Sequence, residues 1–175
     1  MIIEEGVVAA AGNWSGGKEV MQLLLDSRGA DVMITEEVVM AAASNWHCGK
    51  EVMQLLLDRR GADIVITEVV VKAAAGNRHY GKEVIQLLLD RRGADIVITE
   101  GVVKATAGKR HYDKEVMQLL LDRRGADIVI KEGVVKAAAG NRHCGKEVMQ
   151  LLLDRRGADI IITEEVVNAS LEVGK

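Results

Sequence analysis

The sequence predicts an all-α fold, an α-solenoid of stacked antiparallel helix pairs, on three observations. The block KEVMQLLLDRRGAD at residues 50–63 returns nearly unchanged, its first lysine falling at Lys18, Lys50, Lys82, Lys114 and Lys146, a period of 32 residues. A fixed period of this length marks a repeat array whose members bury their apolar faces against their neighbours. Inside the block, Val84, Ile85, Leu87, Leu88 and Leu89 cover more than one helical stripe, as a helix packed on two sides requires. Between the blocks, a threonine, a glutamate, a Val/Ala run and a closing glycine, as at residues 67–76, carry the start and stop signals of a shorter helix.

In that first helix Thr67 suits the N-cap, Glu68 the positive end of the helix dipole, and Gly76 a left-handed stop. Ile66 and Val71 stand at the positions of a hydrophobic staple. The second helix opens after a loop, with Gly81 as its N-cap and Asp113 in that place in the fourth repeat, runs to about Arg92 and ends at Gly93. Residues 94–98 read as an extended connector. First helices are expected near 4–12, 36–44, 68–76, 100–108, 132–140 and 164–172. Second helices are expected near 18–28, 50–60, 82–92, 114–124 and 146–156, so residues 1–175 form one repeat domain of about five and a half repeats. Gln22, Gln54, Gln86, Gln118 and Gln150 recur within the apolar helix, where a hydrogen-bonded ladder between repeats would account for them. The pairs of the Arg59-Arg60 type favour the helix C-terminus and read, with Asp58 and Asp63, as a solvated structural ladder.

Composition narrows the functional classes. With 49% hydrophobic residues, no Phe, two Trp and two Tyr, the core must be aliphatic. A net charge of -3 with acids and bases mixed along each repeat gives no electrostatic reason to expect nucleic acid or a membrane surface. No apolar run approaches the roughly 20 residues that span a bilayer. The N-terminal MIIEEGVV carries acids where a signal peptide carries bases. Cys48 and Cys144 lie three periods apart, about 30 Å at roughly 10 Å per layer, whereas a disulfide needs Cα atoms within about 7 Å. Free thiols of this kind point to an intracellular, cytoplasmic setting.

The block EVMQLLLDRRGAD is similar to the second helix and following turn of an ankyrin repeat, and Thr67 with Ala73-Ala74 resembles that family's T-P-L-H-x-A motif. The resemblance extends from Ile3 to Val173 and is nearest to the degenerate ankyrin-like arrays of fungal proteins, often joined to NTPase-type sensors of the innate-immunity kind. It implies a helical scaffold for protein binding. Pro and His of the motif are replaced by Glu68 and valines, and the period is one residue short of ankyrin's typical 33. The connector from Asp63 to Thr67 is too short for a long β-hairpin finger, so finger contacts are not expected.

Because the repeats superpose, each position becomes a row, and variation concentrates in the loop between the two helices. One row reads Trp14, Trp46, Arg78, Arg110, Arg142; the next, after Ser15, reads His47, His79, His111, His143; the third holds Tyr80 and Tyr112 between Cys48 and Cys144. A first-helix row adds Met40, Lys72, Lys104 and Lys136. Trp, Tyr and Arg are the side chains that most often anchor interfaces, so these rows form the expected binding ridge for a protein partner. The structural alternative is that the three lysines pair with Glu68, Glu100 and Glu132 at i, i+4. One histidine per layer of roughly 10 Å cannot converge on a zinc ion, and His47-Cys48 lacks a third orienting group. Hence no metal, no cofactor and no enzymatic activity are expected.

Two further readings stay open. The terminal helices, from Ile3 and from Thr163, repeat the interior pattern, so self-association end to end is possible, with Val166→Glu as its probe. Tyr80 and Tyr112 beside Arg78, Arg110 and Arg142 could stack bases of single-stranded nucleic acid, against the negative overall charge.

Overall fold

The structure is a computed structural model that describes residues 4–108 and 113–172. The short first helices are α1 (Glu4–Gly12), α3 (Glu36–Ser44), α5 (Glu68–Ala75), α7 (Glu100–Ala107), α9 (Glu132–Ala139) and α11 (Glu164–Glu172). The longer second helices are α2 (Gly17–Arg28), α4 (Gly49–Arg60), α6 (Gly81–Arg92), α8 (Asp113–Arg124) and α10 (Gly145–Arg156). A 3₁₀ turn of sequence Gly-Ala-Asp follows each second helix, and no strand occurs among the described residues. The fold is the repeated helix pair of an α-solenoid, and both sets of boundaries fall within a residue of those the period predicts.

Two compact units divide the chain, Met1–Ile96 and Val97–Lys175. In the first, α3 packs between α1 and α5 while α4 packs between α2 and α6. In the second, α9 packs between α7 and α11, and α8 lies against α10. Loops as short as 13–16 force each helix and its successor to run antiparallel.

The core is aliphatic, as the composition requires. Val39, Ala42, Val71 and Ala74 are buried on the first helices, and Val52, Met53, Leu56, Val84 and Leu88 on the second. Each large side chain among them contributes about 1.5–3 kcal/mol by leaving water. The connector between repeats is extended, with Ile64 at φ -85° and ψ 124°, and its side chains alternate: Ile64 and Ile66 point in while Val65 is 66% exposed. A Cβ period of two thus operates without any ladder of strands.

Three local expectations are corrected. Gly76 is not left-handed; at φ -84° and ψ 0° it stays right-handed, and its N–H donates to the Lys72 carbonyl at 2.9 Å. Gly93 does end the second helix, as expected; at φ -56° and ψ -35° it is also right-handed and opens a 3₁₀ turn before the chain extends. Gly81 is the first helical residue and Tyr80 the cap. The glycine there answers to packing. A Cβ on its counterpart Gly49 would lie 2.8 Å from the Ala42 carbonyl oxygen, and one on Gly145 would lie 2.6 Å from that of Ala138. The glutamine ladder is also absent: the glutamines face solvent, and Gln150 Nε2 donates to Asp154 of its own helix at 2.8 Å.

Threonine caps α5, α7 and α11, whereas Thr35 at the start of α3 makes no side-chain cap bond. Thr67 Oγ1 accepts from Val70 N at 3.4 Å and Thr99 Oγ1 from Val102 N at 3.2 Å. The same hydroxyl row reaches the preceding repeat, where Thr67 donates to Glu36 and Thr163 donates to Glu132 at 2.5 Å. Lys131 takes the threonine's place in the fifth repeat. It gives up the cap but keeps the tie, as its Nζ pairs with Glu100 at 2.7 Å.

Candidate functional site

The loop between the two helices of a repeat hangs on one asparagine. Asn77 is buried, 4% exposed, and its Nδ2 donates to the carbonyls of Ala43 and Asn45 in the preceding repeat at 3.0 and 2.7 Å. Its Oδ1 accepts from the backbone N–H groups of His79 and Tyr80 at 3.1 and 3.0 Å. Asn45 does the same one repeat earlier, and Asn141 Nδ2 reaches the Ala107 carbonyl at 3.0 Å while its Oδ1 holds His143 N and Cys144 N. A buried polar group persists only when so satisfied. In these three loops the asparagine therefore fixes the shape and seats the loop on its neighbour.

On this support the loop side chains of the first unit line up. Trp14 and Trp46 stack with ring centroids 6.3 Å apart and planes within 4°. Trp46 stacks in turn on His79 at 5.6 Å, and Trp14 meets His47 edge to face at 6.3 Å. Both indoles stay open to solvent, Trp14 at 60% and Trp46 at 50%. Arg78 and His79 are exposed beside Trp46 and line a shallow groove with it, whereas Tyr80 is half-buried as the cap of α6. The thiol of Cys48 is occupied locally, 3.4 Å from Asn45 Nδ2 and 3.5 Å from the Asn13 carbonyl.

The second unit presents a different edge. Arg142 and His143 are exposed, and Arg142 Nη2 donates to the Glu172 carbonyl at 3.3 Å. Arg110, His111 and Tyr112 lie outside the described residues. Met40 is half-buried on α3. Of the lysines, Lys72 pairs with Glu68 as expected, and Lys104 is exposed on α7. Lys136 departs from the i, i+4 expectation: its Nζ pairs with Glu165 of the next repeat at 2.7 Å. That hydrogen bond, with the attraction of the two charges, raises the Lys136 pKa above its usual 10.5 and lowers that of Glu165 below 4.5. The cause is the row 29 residues downstream, which holds Gly101 for Lys72 but Glu165 for Lys136.

The arginine pairs form the ladder read from the sequence. Arg59 pairs with Asp26 of the preceding repeat at 2.5 Å, Arg91 with Asp58, and Arg155 with Asp122 at 2.5 Å. The second arginine holds its own 3₁₀ turn, as Arg60 Nε does with Asp63 at 2.6 Å. Its Nη1 also donates to the Gly29 carbonyl and to that of Val32 at 3.1 Å. Among the described residues no three His, Cys, Asp or Glu side chains gather as a metal-binding group, and no helix is long and apolar enough to cross a membrane.

Sequence reasoning missed the asparagine altogether. The signal was its recurrence at Asn13, Asn45, Asn77 and Asn141, with Lys109 breaking the row. No curated protein and no solved structure matches the chain. A family described as "Domain of unknown function (DUF7104)" matches six tandem segments, residues 1–21, 23–53, 55–84, 87–117, 119–149 and 151–170. Those segments take in nearly the whole chain and follow its period, each boundary between them falling inside a second helix, so the protein is a tandem array that belongs to this family of unknown function.

Proposed function

We propose that the protein is a non-enzymatic binding module that recognises a protein partner through the loop edge of its repeats. The observation that carries this reading is the stack of Trp14, Trp46 and His79. Two half-exposed indoles add little to a core, yet here they are ordered by one another and by loops anchored on Asn45 and Asn77. Aromatic side chains fixed before binding lose little entropy on contact, which is how interface anchors work. Arg78 and Arg142 extend the same rows, with Lys72, Lys104 and Lys136 on the first helices. The ankyrin-like kinship, and a place among fungal innate-immunity-type sensor repeats, rest on the resemblance of EVMQLLLDRRGAD and of Thr67 with Ala73-Ala74. An intracellular location fits the two free thiols, and the net charge of -3 speaks against nucleic acid.

The test is affinity capture with the immobilised full chain and its Trp46→Ala variant, each checked by far-UV circular dichroism. The variant is expected to keep its helicity and to lose its partner by about thirtyfold, the effect of removing an interface anchor of roughly 2 kcal/mol. Capture that ignores Trp46, or that falls only together with helicity, contradicts the reading.

A second reading, end-to-end self-association, is favoured by the C-terminal face. Leu153 is 43% exposed while its row-mates Leu57, Leu89 and Leu121 are each 7% exposed, and Val167 is 45% exposed where Val135 is 1%. Val167, with Met149, Ile162 and Val166, lines an apolar groove where a next repeat would pack. Val166 is 3% exposed, so Val166→Glu would disrupt α11 itself, and Leu153→Glu is the cleaner probe of that face.

A further inference from the structure

The loop row changes its chemistry once, between the second repeat and the third, where Trp46 is followed by Arg78. The two side chains line one shallow groove with Ser44, Gly76 and His79, and no carboxylate among the described residues lines it.

Arg78 stands apart from the other arginines. Arg28, Arg60, Arg92, Arg124 and Arg156 hold their own turns, and Arg59, Arg91 and Arg155 pair with the preceding repeat. Arg142, in the same row as Arg78, donates to the Glu172 carbonyl. Among the described residues Arg78 alone of the arginines meets no hydrogen-bond or ion-pair partner, and its side chain is exposed. Its backbone is fixed all the same, because Asn77 is anchored on the preceding repeat and holds His79 N at 3.1 Å. The loop thus presents a guanidinium that ties nothing within the protein.

Trp46 brings a second unused donor to the groove. Trp14 and His79 stack on its ring, yet it is 50% exposed and its indole N–H donates to no group among the described residues. The Ser44 hydroxyl, by contrast, is spent on the Ala41 carbonyl at 3.3 Å. A planar fork of N–H donors and an indole N–H, with no acid to neutralise them, suit a carboxylate, which accepts two parallel bonds from a guanidinium. The indole also gives apolar surface to whatever side chain is carried beside that acid.

We infer that the Trp46–Arg78 groove receives a glutamate or aspartate of the protein partner together with a neighbouring apolar side chain, so that the partner presents an acidic, partly apolar segment where the second repeat meets the third. This rests on the loop edge being the binding surface. The chain's net charge of -3 offers no long-range pull to such a partner, so the recognition is local to the groove.

The experiment is isothermal titration of the full chain, at low and at physiological salt, with acetylated and amidated Glu-Phe-Glu-Phe-Glu, Gln-Phe-Gln-Phe-Gln and Lys-Phe-Lys-Phe-Lys peptides. The acidic peptide is expected to bind saturably, at least about tenfold more tightly than either of the others, and less tightly at the higher salt. Arg78→Gln removes a side chain with no structural tie, and Trp46→Leu keeps an apolar one. Each should weaken the acidic peptide by about tenfold, while Lys82→Gln, which removes the same charge from an exposed position of α6 outside the groove, should leave it unchanged. No saturable binding of the acidic peptide overturns the inference. So does an equal loss for Arg78→Gln and Lys82→Gln, which is mere surface charge, or equal affinity for the glutamine peptide. Tighter binding of a thymidine tetranucleotide of the same charge overturns it too, by making the ligand a nucleic acid. The two proposals fail separately: capture that depends on Trp46 but ignores Arg78→Gln removes the acidic-segment site and leaves the ridge. Acidic-peptide binding that needs Arg78, with capture indifferent to Trp46, keeps the groove and removes the ridge.

Discussion

Asn77 spends its whole hydrogen-bonding capacity inside the protein: two donations to the preceding repeat and two acceptances from its own loop. Asn77→Ala would strip donors from two carbonyls and an acceptor from two N–H groups at a buried place. We expect it to cost about 3 kcal/mol of stability in urea denaturation, and a loss under about 0.5 kcal/mol, the size of an ordinary surface change, would mean that water takes over the amide's role. This residue was illegible in the sequence because two of its partners lie 32 and 34 residues away. Lys136 and Glu165 give a titration at the same scale. Both are at the surface, so the pair contributes little and yields to salt. The sign follows from the shifts. The lowered Glu165 pKa makes its contribution present above 4.5 and lost as pH falls through the folded value; the raised Lys136 pKa makes its own present below 10.5 and lost as pH rises through the folded value. At low salt, the difference in Tm between the parent and Glu165→Gln should be largest between about pH 5 and 10 and shrink as the pH falls below 4.5. A difference that does not shrink on acidification would assign it to packing.

Helix existence and helix ends were legible, because the threonine, the Val/Ala run and the glycine recur in step with an apolar block whose period is visible by eye. The roles of the glycines were not. Local sequence cannot tell an N-cap from a first helical residue that must clear a neighbouring carbonyl, and that distinction predicts opposite outcomes for one substitution. Gly49→Ala would place a Cβ 2.8 Å from the Ala42 carbonyl oxygen, whereas Gly93 has nothing within 4 Å of its Cβ position and right-handed dihedrals. Gly93→Ala should stabilise by about 0.5–1 kcal/mol through the unfolded chain, and Gly49→Ala should destabilise by more than that. Thermal melts of the two variants decide it; a shift of the same sign for both would show that the second helix can move to make room. The aromatic stack lay between these cases. Its residues were visible as a row, but their contact depends on the asparagine-held loops that bring successive rings within 6.3 Å.

At the scale of the whole molecule, the repeat architecture could be read outright and the partner could not, since rows of side chains state a chemistry and leave the ligand unnamed. The ends are where the array meets its surroundings. Light scattering over a wide concentration range should return a mass near 19.0 kDa if α11 closes the C-terminal face well enough. If the mass climbs with concentration, Leu153→Glu is expected to restore the single-chain value, and growth that ignores that substitution would place the contact elsewhere.

The ties between repeats carry one more consequence. Those of the arginines, asparagines and threonines join residues 28 to 34 positions apart, whichever repeat they belong to. Every such tie closes a loop of nearly the same size, so the entropy of closure is the same toll at each step and does not mount as the chain lengthens. A gene that copies one repeat more, or drops one, leaves that local arithmetic unchanged. Duplication can then extend the edge that reads a partner while folding continues one neighbour at a time.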